Sequence, residues 1–135
     1  MNDDNRDSIL DAVIPLLADP DNNVVKEAMR VLKKAGVRAA NQVVEKLDNE
    51  NDEEKVTAYL ICLWKMGSPA FPPLIKKTSV ASEDLQERIK NIFFDWLNDA
   101  GTKVAARKAL EDAKNNKDEG ISLWATVALY EFDHQ

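Results

Sequence analysis

Few side chains in this sequence have the chemistry that a catalytic nucleophile or acid–base group requires. The chain has one cysteine, Cys62, and one histidine, His134. Leu60, Ile61 and Leu63 surround Cys62 and are expected to raise its thiol pKa, because apolar surroundings disfavour the thiolate. We therefore predict that Cys62 packs in the core, and that His134, the penultimate residue of the sequence, has no catalytic role.

An acidic cluster at Asp48, Glu50 and Asp52 has a spacing like that of the calcium ligands in an EF-hand loop. The glycine and the closing glutamate of such a loop are absent, so a solvated turn that caps the next helix is the better explanation. The sequence also lacks a phosphate-binding glycine loop, a Gly-x-Ser-x-Gly elbow and a His-Glu-x-x-His pair. These observations predict a protein that is not an enzyme, with no catalytic residue, no metal site and no cofactor.

The charge balance favours a protein partner over a nucleic acid. Among 135 residues, 18 Lys and Arg stand against 24 Asp and Glu, so the net charge is −6. Such a surface repels phosphates and suits a basic protein surface. The longest apolar run, Tyr59 to Trp64, is far shorter than the roughly 20 residues that cross a bilayer, and the polar amino terminus shows no secretory signal. Together with the single cysteine, this predicts a cytoplasmic protein that binds neither nucleic acid nor membrane.

Three glycines divide the chain into similar parts. Gly36, Gly67 and Gly101 lie 31 and 34 residues apart, and each follows a run with apolar residues at helical spacing. Glycine ends helices because it adopts a left-handed conformation at little cost. No segment shows the alternation of a strand. We predict a single all-α domain over 1–135, a short right-handed α-solenoid of four helical hairpins at about 8–36, 37–67, 68–101 and 102–132.

Local signals place the helix ends inside these repeats. Pro15 is expected to kink the first helix, since it removes a hydrogen bond and clashes with the preceding turn. Asn22 or Asn23 is expected to cap the next helix, and Asn51 or Asp52 the helix that begins near Glu53. Ser68-Pro69 is typical of a helix start, with the proline in the first helical position.

The first repeat and the start of the second resemble HEAT repeats, an armadillo-type helical repeat family. The resemblance is carried by Asp19-Pro20-Asp21, Val24, Ala28, Leu32 and Gly36, although Val25 stands where the family usually has arginine. The stretch 105–132 also resembles the end of short bacterial HEAT-like proteins, some of which are thought to be immunity proteins of toxin systems. The resemblance implies a protein-binding module that uses its concave face, or a small acidic antagonist. A HEAT-like enzyme or ligand handler, similar to bilin lyases or DNA glycosylases, is the alternative.

Alignment of the repeats on their glycines identifies a candidate binding face. Ile61 and Trp64 occupy the positions that Arg30 and Lys33 hold in the first repeat, where basic residues must face solvent. Either a neighbouring helix covers this apolar pair, or the pair is an exposed ridge on the concave side. The second possibility predicts a protein-binding site of six residues: Arg30, Glu53, Glu54, Thr57, Ile61 and Trp64.

The last predicted helix is unusually apolar around its circumference. Its apolar residues are Ile121, Leu123, Trp124, Val127, Leu129, Tyr130 and Phe132. A terminal repeat normally has a polar outer face. The excess predicts that this helix covers earlier helices, forms a homodimer or docks on a partner. Trp96, beside Phe93 and Leu97, is expected in the core.

Overall fold

The chain is all-α, as the sequence predicts. The computed structural model describes residues 3–135, with side chains from Asp7 onward. Within that range there is no strand, and the eight α-helices are α1 (Asp3–Val13), α2 (Asn22–Ala35), α3 (Val37–Lys46), α4 (Glu53–Met66), α5 (Phe71–Lys77), α6 (Glu83–Asn98), α7 (Lys103–Lys114) and α8 (Glu119–Asp133). Short 3-10 helices occupy Ile14–Ala18, Leu47–Asn49 and Ser68–Ala70. The chain forms two compact units, residues 1–70 and 71–135.

The first unit is organised around the 3-10 helix that follows α1. The α-helix stops at Val13 because Pro15 has no N–H to continue the hydrogen-bond ladder, so the chain tightens into Ile14–Ala18 instead of merely kinking. Ile14 and Leu17 are buried, and this short segment packs against both α2 and α4. Leu32 and Leu63 each lie four residues before the glycine that ends their helix, and both are fully buried.

The second unit has an aromatic centre. Phe93 of α6 contacts Trp96 and Trp124 edge-on, with ring centroids 4.9 and 5.7 Å apart, and the Phe71 ring lies 4.6 Å from Trp96. Trp96 is buried, as predicted. Because Arg107 pairs with Asp133 while the Lys114 carbonyl accepts from the Ser122 hydroxyl, α7 and α8 run antiparallel.

Of the three glycines that divide the sequence into repeats, two have a backbone conformation that only glycine adopts readily. Gly36 and Gly67 have φ of 66° and 73° with ψ near −135°, so each turns the chain sharply at the end of α2 and of α4. Gly101 does not have a positive φ. The prediction that it closes its helix is wrong: α6 ends at Asn98 with Asp99 as its cap.

The side chains that cap the helices are acids and a serine. Asp21 accepts a hydrogen bond from the backbone N–H of Asn23, so it caps α2 in place of the predicted Asn22 or Asn23. Asp52 caps α4 through the N–H of Glu54, at 3.0 Å, as one of the two predicted alternatives. Ser68-Pro69 begins a 3-10 turn and not the α-helix itself, which starts at Phe71. In the described part of the chain, no helix combines the length and the apolar character that a bilayer span requires.

Candidate protein-binding surface

One face of α4 carries five of the six predicted site residues. Glu53, Thr57, Ile61 and Trp64 follow one another at four- and three-residue steps, and Glu54 lies beside them. At 3.6 residues per turn, all five fall within an arc of about 100°. All five are exposed, and Ile61 and Trp64 retain 43% and 42% of their surface. We refer to these five residues as the α4 face.

The opposite side of α4 explains why this face points outward. Its buried residues are Tyr59, Leu60, Cys62, Leu63 and Met66. They hold the helix against the core of the first unit, where Leu63 and Cys62 have no exposed surface. A large rotation of α4 about its own axis would expose these buried apolar side chains to water, so the helix is restricted to small rotations. The exposure of Ile61 and Trp64 therefore follows from the burial of the residues between them.

The amino-terminal end of the α4 face is acidic for a local reason. Glu53 and Glu54 lie in the first turn of α4, where negative charge interacts favourably with the helix dipole. Asp52 caps the same turn, and the Glu50 carboxylate lies 4.0 Å from the Lys55 ammonium. Across the described residues, no group of three His, Cys, Asp or Glu side chains is arranged to hold a metal ion. The acids thus form a negative rim beside the apolar pair.

Arg30, the sixth predicted residue, lies on a different helix. It is exposed on α2, and its guanidinium forms an ion pair with Glu27 of the same helix. The hydrogen bond between them lowers the pKa of Glu27 and raises that of Arg30. This ion pair is local to α2, whereas the other five residues share α4.

The contacts of Cys62 and His134 in the fold show how each side chain is placed. Burial raises the pKa of the Cys62 thiol to about 11, which keeps it protonated at neutral pH and bears out its predicted place in the core. The His134 ring stacks on Tyr130, and its Nδ1 lies 2.8 Å from the Tyr130 carbonyl oxygen.

The sequence analysis did not predict the surface grooves of the two units, one of which, about 450 Å³, is lined by residues of α5, α7 and α8. In the first unit, a groove of about 360 Å³ between the 3-10 helix and α2 is lined mainly by Val13, Leu16, Val24 and Val31. In the second unit, a further groove of about 430 Å³ is lined by three apolar and three basic residues: Leu97, Val104, Phe132, Lys103, Arg107 and Lys108. The only sequence signal for the groove of the first unit was Pro15, which ends α1 and turns Leu16 partly outward.

Comparison with protein-family models, with curated proteins and with solved structures gave no match.

Proposed function

We propose that this protein is a non-enzymatic protein-binding module built from HEAT-like helical hairpins, and that its partner binds the α4 face. In a HEAT-like repeat the second helix of each hairpin lines the concave side, and α4 is the second helix of the predicted repeat 37–67. The equivalent burial of Leu32 and Leu63 supports the pairing of the first two repeats. The proposed site is the α4 face; Arg30, on α2, aligns with Ile61 when the repeats are aligned on their glycines.

The observation that carries the proposal is the exposed pair Ile61 and Trp64. They lie about one helical turn apart on α4, and the other side of this helix packs in the core of the first unit. Tryptophan is enriched among the residues that dominate binding energy, because its large ring fills a pocket while few rotamers are lost. A partner that covers both side chains removes the remaining exposed apolar surface from water.

Charge determines the kind of partner. Glu53 and Glu54 form a negative rim at one end of the apolar pair, and the whole chain carries a net charge of −6. Opposite charge on the partner raises the rate of association and excludes like-charged competitors. The partner is therefore a protein with a basic surface around an apolar patch. In its narrower form, the proposal is that the protein is a small antagonist, such as an immunity protein, that covers the basic active surface of a toxin.

The test is site-specific photo-crosslinking in the native host. A photoreactive phenylalanine analogue at position 61 is expected to capture a partner, while the same analogue at position 80 is not. Val80 is a matched control because it is exposed and apolar but lies in the other unit. Once a partner is captured and purified, titration calorimetry measures its affinity for the wild type and for variants of the α4 face.

The expected result is selective loss of affinity. Trp64→Ala weakens binding by more than about 1 kcal/mol, and Glu53→Lys combined with Glu54→Lys slows association most at low salt. Val80→Ala changes neither the affinity nor the rate of association. Circular dichroism verifies that each variant remains folded. Equal capture at positions 61 and 80, or full affinity in the folded Trp64→Ala variant, would count against the α4 face.

A further inference from the structure

Helix α8 presents a second apolar face, on the other unit of the chain. Leu123, Val127 and Tyr130 follow at steps of four and three residues, and they are 66%, 42% and 64% exposed. The other side of α8 is buried through Ile121, Trp124, Ala125, Ala128 and Leu129. We call the three exposed residues the α8 stripe. The structure thus separates the apolar residues of α8 that pack in the core from the three that remain exposed.

The flanks of the helix hold α8 in place without using the stripe. On one flank, the indole N–H of Trp124 donates to the Gln86 carbonyl at 3.2 Å, and Glu131 pairs with Lys90 of α6. On the other flank, Asp133 pairs with Arg107 of α7, and the Ser122 hydroxyl donates to the Lys114 carbonyl at 2.6 Å. A helix held from both flanks loses little conformational freedom when its outer face is covered.

These same interactions leave the outer face nearly free of charge. Glu131 and Asp133 are directed to the flanks by their ion pairs. The Thr126 hydroxyl donates to the Ser122 carbonyl at 2.7 Å, so it can be covered without losing its hydrogen bond. Besides the Tyr130 phenol, which is neutral at pH 7, the ionisable groups that remain on the outer face stand at its ends: Glu119 in the first turn and His134 just past the last.

When two copies of α8 are placed antiparallel, the residues along the two stripes are complementary to each other. A two-fold axis that passes between Thr126 and Val127 places Leu123 of one copy against Tyr130 of the other. The same axis places Glu119 against His134, an acid against an imidazole, at both ends of a contact about 22 Å long. It also sets the positive end of each helix dipole beside the negative end of the other. In any other antiparallel register, Leu123 no longer lies opposite Tyr130 and Glu119 no longer lies opposite His134.

We propose that the protein forms a homodimer in which α8 packs antiparallel on α8 of a second copy. The interface is isologous, since the same stripe serves both subunits. A single helix face lies at the small end of specific interfaces, below about 1,200 Å² in total, so the dimer is weak and reversible. This surface shares no residue with the α4 face, and neither proposal depends on the other.

Sedimentation equilibrium of the full chain tests for association. The wild type is expected to pass from monomer to dimer as its concentration rises toward about 1 mM. Leu123→Ser is expected to raise the dissociation constant at least about tenfold. The matched control is Val104→Ser, because Val104 is 76% exposed on α7, outside the stripe. Unfolding measurements verify that both variants keep the wild-type stability, as exposed positions allow.

Disulfide trapping tests the register. Under mild oxidation, a mixture of the Leu123→Cys and Tyr130→Cys variants is expected to cross-link, whereas Leu123→Cys alone is not, because position 123 faces position 130 in the antiparallel pair. Cys62 stays in place in both variants, since it is buried. Charge reversal at one end, Glu119→Lys, weakens the dimer, and adding His134→Glu restores it.

Three outcomes would overturn the proposal. A wild type that stays monomeric up to about 1 mM excludes the homodimer. Efficient cross-linking of Leu123→Cys with itself shows a parallel pairing. Equal weakening by Leu123→Ser and Val104→Ser places the contact elsewhere. Trp64→Ala should leave the dimer unchanged, so a failure of this proposal is distinguishable from a failure of the α4 face.

Discussion

Leu63→Ala should destabilise the protein far more than Ile61→Ala, although the two residues lie two positions apart on α4. Leu63 has no exposed surface, and truncation of such a side chain costs roughly 2 to 5 kcal/mol because it loses transfer free energy and leaves a cavity. Ile61 is 43% exposed. Full burial of isoleucine contributes about 1.5 to 3 kcal/mol, so Ile61→Ala should lose only about 1 kcal/mol.

Helix propensity makes the contrast sharper. Alanine is the better helix former at both positions, and it returns a few tenths of a kcal/mol more when it replaces the β-branched Ile61 than when it replaces Leu63. The cavity term also differs, because water can fill the space beside Ile61 but not the closed space around Leu63. The expected gap between the two variants is about 2 kcal/mol.

Thermal and urea unfolding, followed by far-ultraviolet circular dichroism, measure this gap. For a chain of this size each kcal/mol corresponds to roughly 3 to 5 °C in Tm. Leu63→Ala should therefore melt about 10 to 15 °C below the wild type and Ile61→Ala only about 3 to 5 °C below. The dependence of the unfolding free energy on urea should be unchanged for both. Equal losses, or a larger loss for Ile61→Ala, would refute the register of α4 and with it the exposed α4 face.

Gly67→Ala should cost about 1 to 3 kcal/mol in urea unfolding, because Gly67 combines a φ of 73° with a ψ of −133°, a conformation that an L-residue adopts only under strain, whereas Gly101→Ala should cost less. Burial raises the pKa of the Cys62 thiol to about 11, so a thiol reagent at pH 8 should label Cys62 at the rate of unfolding, and rapid labelling of the native protein would contradict its place in the core. A hydrogen bond from Ser79 lowers the pKa of Asp118 in the folded state, so the stability it contributes is complete at neutral pH and is lost as the pH falls below about 4. The stability difference between the wild type and Asp118→Asn should then shrink in acid, and a difference independent of pH would exclude this linkage.

Local signals in the sequence were enough to predict some of the helix ends. The turns at Gly36 and Gly67 depend on the backbone of the residue itself, and the cap at Asp52 depends on an N–H two residues away. Such interactions extend only over a turn of helix, so the residue types nearby are sufficient to infer them. The predicted kink at Pro15 is instead the end of α1. The fully helical class and the burial of Leu32 and Leu63 follow from the same periodic pattern.

The third glycine shows where local reasoning fails. Gly101 lies 34 residues after Gly67, close to the 31 residues between Gly36 and Gly67, yet α6 ends three residues earlier at Asn98. The Thr102 hydroxyl donates to the Trp96 carbonyl at 2.7 Å, and the Asp99 carboxylate accepts from the N–H of Gly101 at 3.0 Å. These side chains satisfy the backbone groups at the helix end, so a positive φ at the glycine is not required.

Which apolar side chains stay exposed was decided only by the tertiary structure. For Ile61 and Trp64 the sequence left both a covered and an exposed position open, and the packing of Leu63 against the first unit leaves them partly in water. On α8, apolar residues occur all around the helix, and the contacts with α6 and α7 leave Leu123 and Tyr130 outside. Helical periodicity defines faces, but burial of a face depends on neighbours that are distant in the sequence.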